Sequence, residues 1–96
     1  MMVVVTYDVD TSSPSGEKRL RKVAKTCEAY GCRVQNSVFE VIVDPGQLAT
    51  LKAALSKLID EDRDSVRFYQ MGSNWKPKIE CVGKQLCFEQ DDIIIL

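Results

Sequence analysis

The chain contains no histidine. Ser-His-Asp and Cys-His nucleophilic catalysis are therefore closed to it, and so is the side chain that most often serves as a general base. Zinc sites of the cysteine–histidine kind are excluded likewise. Four cysteines, Cys27, Cys32, Cys81 and Cys87, are present, but no pair has the two-residue gap of a zinc knuckle. They read instead as small hydrophobes, reduced and mostly buried. No glycine-rich phosphate loop appears, which counts against a module built for a small regulatory ligand. No apolar run approaches the roughly 20 residues of a membrane span. The N-terminal apolar stretch has neither a preceding basic segment nor a small-residue cleavage site. A cytoplasmic location with no membrane partner is the expectation. Charge of one sign is scarce too: 13 Lys and Arg against 14 Asp and Glu leave a net −1, too little to coat nucleic acid by bulk electrostatics.

What is present is an ordinary globular composition with an uneven charge distribution. At 96 residues, 45% hydrophobic and 28% charged, the chain is expected to form one domain with a real core and a high surface-to-volume ratio. Lys18, Arg19, Arg21, Lys22, Lys25 and Arg33 crowd one short stretch, opposed there only by Glu28. The balancing acid sits at residues 60–62 and 89–92. A small protein with one basic face holds phosphates locally, with the salt dependence that implies.

The periodicities order the elements. Residues 2–8 read as a buried strand rich in valine, and residues 11–16, Thr-Ser-Ser-Pro-Ser-Gly, as a loop. From 17 to 30 the period is helical. Leu20, Val23, Ala24, Cys27 and Tyr30 share one face, and Lys18, Arg21, Lys22 and Lys25 share the other. Gly31 suits a C-terminal stop. Residues 33–43 predict two short antiparallel strands with a tight turn at Asn36 and Ser37. Asp44, Pro45 and Gln47 make the start of a second helix, with Leu48, Leu51, Leu55, Leu58 and Ile59 as its buried stripe. The acidic run at 60–64 ends that helix, and residues 65–71 form a fourth strand. The order β-α-β-β-α-β, with right-handed crossovers, predicts an α+β, ferredoxin-like antiparallel sheet with two helices on one face over residues 1–71. Residues 72–96 then form a C-terminal arm with β-prone patches at 79–82 and 93–96, expected to add a strand to a sheet edge, either its own or that of a second copy, and so to contribute to dimer and partner contacts. A sheet covered on one face only makes a homodimer the economical expectation.

Residues 3–10, Val-Val-Val-Thr-Tyr-Asp-Val-Asp, run an apolar strand into two carboxylates. A carboxylate at the exit of a buried strand is held rigidly at the surface, where it can ligate a hard cation. Such acids also commonly cap the next turn, so local sequence leaves Asp8 and Asp10 open between the two roles. Mg²⁺ accepts one or two protein carboxylates and completes its octahedron with water and substrate phosphate. It is the expected cofactor, with Mn²⁺ as an alternative. The basic helix follows closely, so acid and phosphate-binding surface are expected side by side.

Three segments carry a resemblance. Val-Thr-Tyr-Asp-Val at 5–9, Lys-Arg-Leu-Arg-Lys-Val at 18–23 and Arg-Val-Gln-Asn-Ser-Val-Phe-Glu at 33–40 together closely resemble the small adaptation subunit of CRISPR systems, the ferredoxin-like partner of the CRISPR integrase. The likeness spans about residues 1–71. It implies a homodimer packed sheet to sheet, with C-terminal segments exchanging edge contacts. It also implies one metal-binding, catalytic aspartate per chain, on Asp8, while Asp10 falls in a variable loop. Tyr7, Arg33, Ser37 and Phe39 coincide with positions around the family's cleft, and Arg19, Arg21 and Lys22 with its first-helix cations. With Lys18 these are the expected nucleic-acid contacts. The resemblance implies an endonuclease acting on RNA or, by the match of a two-fold dimer to a duplex, on double-stranded DNA. The rival reading is a non-catalytic scaffold bridging integrase dimers.

Overall fold

The computed structural model describes residues 1–84. Strand β1 (Met2–Asp8) leads to helix α1 (Pro14–Glu28), followed by β2 (Gly31–Gln35), β3 (Val38–Ile42), helix α2 (Pro45–Leu58), β4 (Ser65–Gly72) and a single 3₁₀ turn at Lys76–Lys78. The four strands form one antiparallel sheet in the order β2-β3-β1-β4. This is the expected ferredoxin-like α+β arrangement, with β1 at its centre and both helices on one face.

Alternation along β1 decides what each face does. Val3, Val5 and Tyr7 pack with Phe39 and Val41 of β3 against Val23, Ala24 and Cys27 of α1 and Leu48, Leu51 and Leu55 of α2. Leu58 and Ile59 lie partly buried at the margin of that core. The intervening Val4, Thr6 and Asp8 point to the opposite face. They share it with Val38, Glu40 and Ile42 on one side and with Ser65, Arg67 and Tyr69 on the other. No helix covers this second face among the described residues, and Ile42 and Tyr69 stay exposed there at 40% and 47%.

Three boundaries differ from expectation for identifiable reasons. Helix α1 starts at Pro14, three residues early, because Ser13 is its N-cap: the Ser13 hydroxyl accepts from the Gly16 N–H, and Pro14 follows at the first helical position. The loop-like Ser-Pro-Ser-Gly run is thus a start signal. Gly31 is not a left-handed stop. It opens β2 opposite Val41, where a β-carbon would collide with the Glu40 carbonyl. The patch at 79–82 forms no strand; the patch at 93–96 lies outside the described residues. Helix α2 follows expectation, with a capping box in which Asp44 accepts from the Gln47 N–H at 2.7 Å and Gln47 accepts from the Asp44 N–H at 3.0 Å.

The cysteines divide. Cys27 is buried with a free thiol, and burial pushes its pKa up to about 11. Cys81 is exposed, and Cys32 is half-buried and disulfide-bonded. Among the described residues, the small-hydrophobe expectation therefore holds for Cys27.

One polar group lies inside. Asp64, just before β4, has a side chain with no exposed surface. Its carboxylate accepts from Arg19 Nε at 2.7 Å and Arg19 Nη2 at 3.3 Å, from the Asp10 N–H at 3.0 Å and from the Asp60 N–H at 2.9 Å. The Arg19 guanidinium in particular holds this carboxyl well below its ordinary 3.8, at about 2. The folded state thus binds this proton less readily than the unfolded chain. The associated stability, roughly 2 kcal/mol, is fully present above pH about 4 and is lost as pH falls through about 2. Urea titrations from pH 5 down to pH 2 are expected to show that decline, absent in Asp64→Asn. Asp64→Ala leaves the guanidinium and two N–H groups without acceptors. It should cost about 3–5 kcal/mol at pH 7, read as a lower urea midpoint at unchanged slope.

Candidate functional site

The expected site residues separate into three environments. Asp8 ends β1 exposed on the uncovered sheet face, opposite Ser65. Among the described residues no hydrogen bond or ion pair engages its carboxylate. It lines a recess of about 250 Å³ with Thr6, Ser65, Arg67 and Tyr69. Asp10 behaves differently. Its carboxylate accepts from the Ser12 N–H at 2.9 Å and lies 3.6 Å from Arg63; hydrogen bonding to Ser12, from its side chain first and then its N–H, lowers its pKa. It closes the turn leaving β1, so of the two acids only Asp8 is available to a ligand.

A second, larger hollow of about 650 Å³ opens on the helix side of the sheet, between α1 and the β2–β3 turn. Arg21, Lys25 and Arg33 surround it with Ser37, over an apolar floor of Leu20 and Ala24. Glu28, 3.8 Å from Arg33, is the acid on its rim. Tyr7 forms its inner wall. The Tyr7 hydroxyl donates to the Asn36 carbonyl at 3.0 Å and its N–H to the Ser37 carbonyl at 3.1 Å, so the turn is fastened to β1. Burial pushes the Tyr7 pKa up, and neighbouring Arg33 partly offsets this. Lys18 and Lys22 lie exposed along α1 outside the hollow.

Three expected nucleic-acid contacts have partners or cover within the chain. Phe39 has no exposed surface; its ring stacks on Tyr7 with centroids 6.1 Å apart and carries the Arg33 guanidinium at 5.2 Å. Tyr7 is 5% exposed. Arg19 is spent on Asp64, its charge neutralised by a buried partner. The acid and the cations also do not lie side by side within one chain. They sit at the same end of the sheet, where β1 finishes and the β2–β3 turn closes, but on opposite faces. Sequence reasoning missed Arg67 and Tyr69 in the Asp8 recess. The signal available was their spacing of two within a strand, which puts both on the polar face.

A single exposed, unpartnered carboxylate beside a recess fits one oxygen ligand to a hard divalent cation. Among the described residues no group of three Asp, Glu, Cys or His converges into a cage. One chain would thus offer one such ligand to an ion.

The fold and these two sites define a small ferredoxin-like domain with a recess bordered by Asp8 on the open face of its sheet and a cationic hollow on the helix side. Comparison with known proteins narrows the class. Residues 1–79 match the family model described as CRISPR associated protein Cas2. The chain is 56% identical, over 99% of both chains, to a protein of Halalkalibacterium halodurans named CRISPR-associated endonuclease Cas2. It is 46% identical, over 100% of this chain and 94% of the other, to one of Nitratidesulfovibrio vulgaris named CRISPR-associated endoribonuclease Cas2. The crystal structure of Streptococcus pyogenes Cas2 superposes with a TM-score of 0.77 at 55% identity, covering 86% of this chain and 100% of that one. The chain belongs to the Cas2 family. The match runs beyond residue 71, so the start of the arm is part of the family pattern.

Proposed function

We propose that this protein is a divalent-metal-dependent endonuclease that hydrolyses nucleic-acid phosphodiesters as a homodimer during CRISPR spacer acquisition, with double-stranded DNA as its preferred substrate. The observation that carries the reading is Asp8: a strand-end carboxylate, exposed, without a protein partner and next to a recess. The names of the two relatives, one an endonuclease and one an endoribonuclease, support phosphodiester cleavage. The preference for duplex DNA rests on symmetry: a two-fold dimer presents its basic helices in the same relation as the two strands of a duplex.

The uncovered sheet face supports the homodimer, since an isologous pair would bury Ile42 and Tyr69 and bring two Asp8 side chains toward one axis. Each Asp8 would hold one face of a Mg²⁺ or Mn²⁺ ion. Such an ion, when bound, polarises a phosphodiester oxygen and orients an attacking water. Lys18, Lys22 and Arg21 would bind backbone phosphates from outside, fixing the position of the substrate without reading its sequence.

A second reading has its own support. One acid per chain is few for a nuclease, and a non-catalytic homodimer that holds DNA and bridges CRISPR integrase subunits would need none. Asp8→Asn separates the two. On the nuclease reading it reduces Mg²⁺-dependent cleavage to background while sedimentation still reports the native oligomer. Cutting at wild-type rate by that variant leaves the scaffold reading standing. The cationic role is checked by the salt dependence of duplex binding. Lys18→Ala with Lys22→Ala should flatten the slope of log K against log salt by about 0.9 for each phosphate no longer neutralised, equally for unrelated sequences. An unchanged slope would mean that neither lysine touches phosphate.

A further inference from the structure

The helix-side hollow holds more than phosphates require. It lies on the face opposite the one that the proposed homodimer would bury, so that pairing would leave it open. Its volume of about 650 Å³ is within the range of small-molecule sites, roughly 300–1,000 Å³. Leu20 and Ala24 make its floor apolar, and Tyr7 closes its inner side. A surface that met only backbone phosphates would need cations and no such floor.

Its polar groups are graded along the helix. Arg21 and Lys25 stand one turn apart on α1, with no hydrogen bond or ion pair among the described residues. Further along, Glu28 lies 3.8 Å from Arg33, so that end carries both charges. Across from α1, the β2–β3 turn brings Asn36 and Ser37, whose side chains also lack a partner among the described residues. The turn is held in place, since both of their carbonyls accept from Tyr7. An anion is therefore drawn to one end, while a flat ligand with hydrogen-bonding edges meets the turn. Lys18 and Lys22 continue the cationic row along α1, over a rise of about 10 Å from Lys18 to Lys25. The row proposed to bind backbone phosphates thus runs directly into the hollow. That continuity decides the occupant. An acidic peptide matches the cations alone, whereas a nucleotide uses cations, floor and turn together. A paired base cannot enter, because the duplex already engages its edge and its faces.

We infer that the hollow takes one unpaired nucleotide at the end of a nucleic-acid strand. Arg21 and Lys25 hold its phosphate, and its base sits on Leu20 and Ala24 with an edge toward Asn36 and Ser37. An aliphatic floor and guanidinium planes accept any base, so the site senses strand ends rather than sequence. The inference rests on the proposed nucleic-acid binding, but not on hydrolysis or on metal. It makes a duplex with an overhanging end a better ligand than a blunt one.

The test titrates full-length protein in EDTA with a blunt DNA duplex, with the same duplex carrying a thymidine overhang, and with that overhang made abasic. Overhangs on 5′ and on 3′ ends are titrated separately. An overhang of one polarity or the other should tighten binding about fivefold or more, and its abasic analogue should give back most of that gain. The methyl resonances of Leu20 and Ala24 should shift under the ring current of the base and stay in place with the abasic DNA. Lys25→Ala should weaken both overhang complexes a few-fold, and Asn36→Ala chiefly the base-bearing one. Equal affinity for base-bearing and abasic overhangs overturns the inference. So do Leu20 and Ala24 methyls that stay still at saturation, which would leave the hollow to an acidic protein segment. Overhang binding by a protein that ignores the blunt duplex would uphold the inference and remove the duplex preference instead. Hydrolysis is read separately, as Mg²⁺-dependent cleavage, and none of these titrations depends on it.

Discussion

The buried ion pair between Arg19 and Asp64 organises the end of the molecule where the candidate chemistry lies. Three segments distant in sequence meet on one carboxylate: the turn leaving β1 through the Asp10 N–H, helix α1 through Arg19, and the loop entering β4 through the Asp60 N–H. Burying a charge is costly unless it is paired and its lone pairs are satisfied. Here four donors meet that requirement. Asp64 directly precedes Ser65, and Ser65 faces Asp8. The pair therefore fixes where β4 begins to run beside β1, and with it the register that places Arg67 diagonal to the strand-end acid. The geometry of the recess is inherited from a contact that never touches it.

The sheet separates two kinds of surface by strand alternation alone. Along β1, odd-numbered positions from Val3 to Tyr7 go to the core, while Val4, Thr6 and Asp8 go to the open face. Tyr7 is where the two sides come closest. Its ring forms the wall of the cationic hollow, its hydroxyl holds the β2–β3 turn, and the next residue is the exposed acid. Arg33 joins the arrangement by lying over Phe39, which spreads its stem on apolar surface and leaves its charge at the rim. Cations proposed to bind phosphate on the helix side and an acid proposed to ligate metal on the other are then compatible with one substrate only if that substrate wraps the end of the sheet or bridges two chains. This is the strongest structural reason for reading the functional unit as a dimer.

The architecture is legible in the sequence because its local signals agree. A buried valine-rich run, an α2 capping box built from Asp44 and Gln47, and a turn at Asn36 and Ser37 each point to the same β-α-β-β-α-β order. Asp8 is legible for the same reason, as an acid at the exit of a buried run. The losses have a common cause. Arg19 lies in a row of similar cations and Asp64 in a row of similar acids, so neither is distinguishable until tertiary structure brings them together. Phe39 and Tyr7 coincide with a family cleft, but side-chain period puts both on the core face. Arg67 and Tyr69 emerge only when the fourth strand is divided into its two sides, since its ends reveal nothing of them. Residues 79–82 pair with no strand among the described residues of one chain, which leaves the alternative of pairing with a second copy as it stood.

Gly16 sits buried in the first turn of α1, where any β-carbon would run into the carbonyl of Asp10. Backbone meets backbone there, with no intervening side chain to compress or rotate. The helix is consequently seated like a rod against a stop, unable to roll or slide without lifting off the strand-exit turn. The backbone that carries its lysines and Arg21 is thereby held in place. On the proposed function, a duplex laid across it would supply the accommodation itself, by bending or by shifting its groove, so pliability in the nucleic acid would become a selection criterion that needs no base contact.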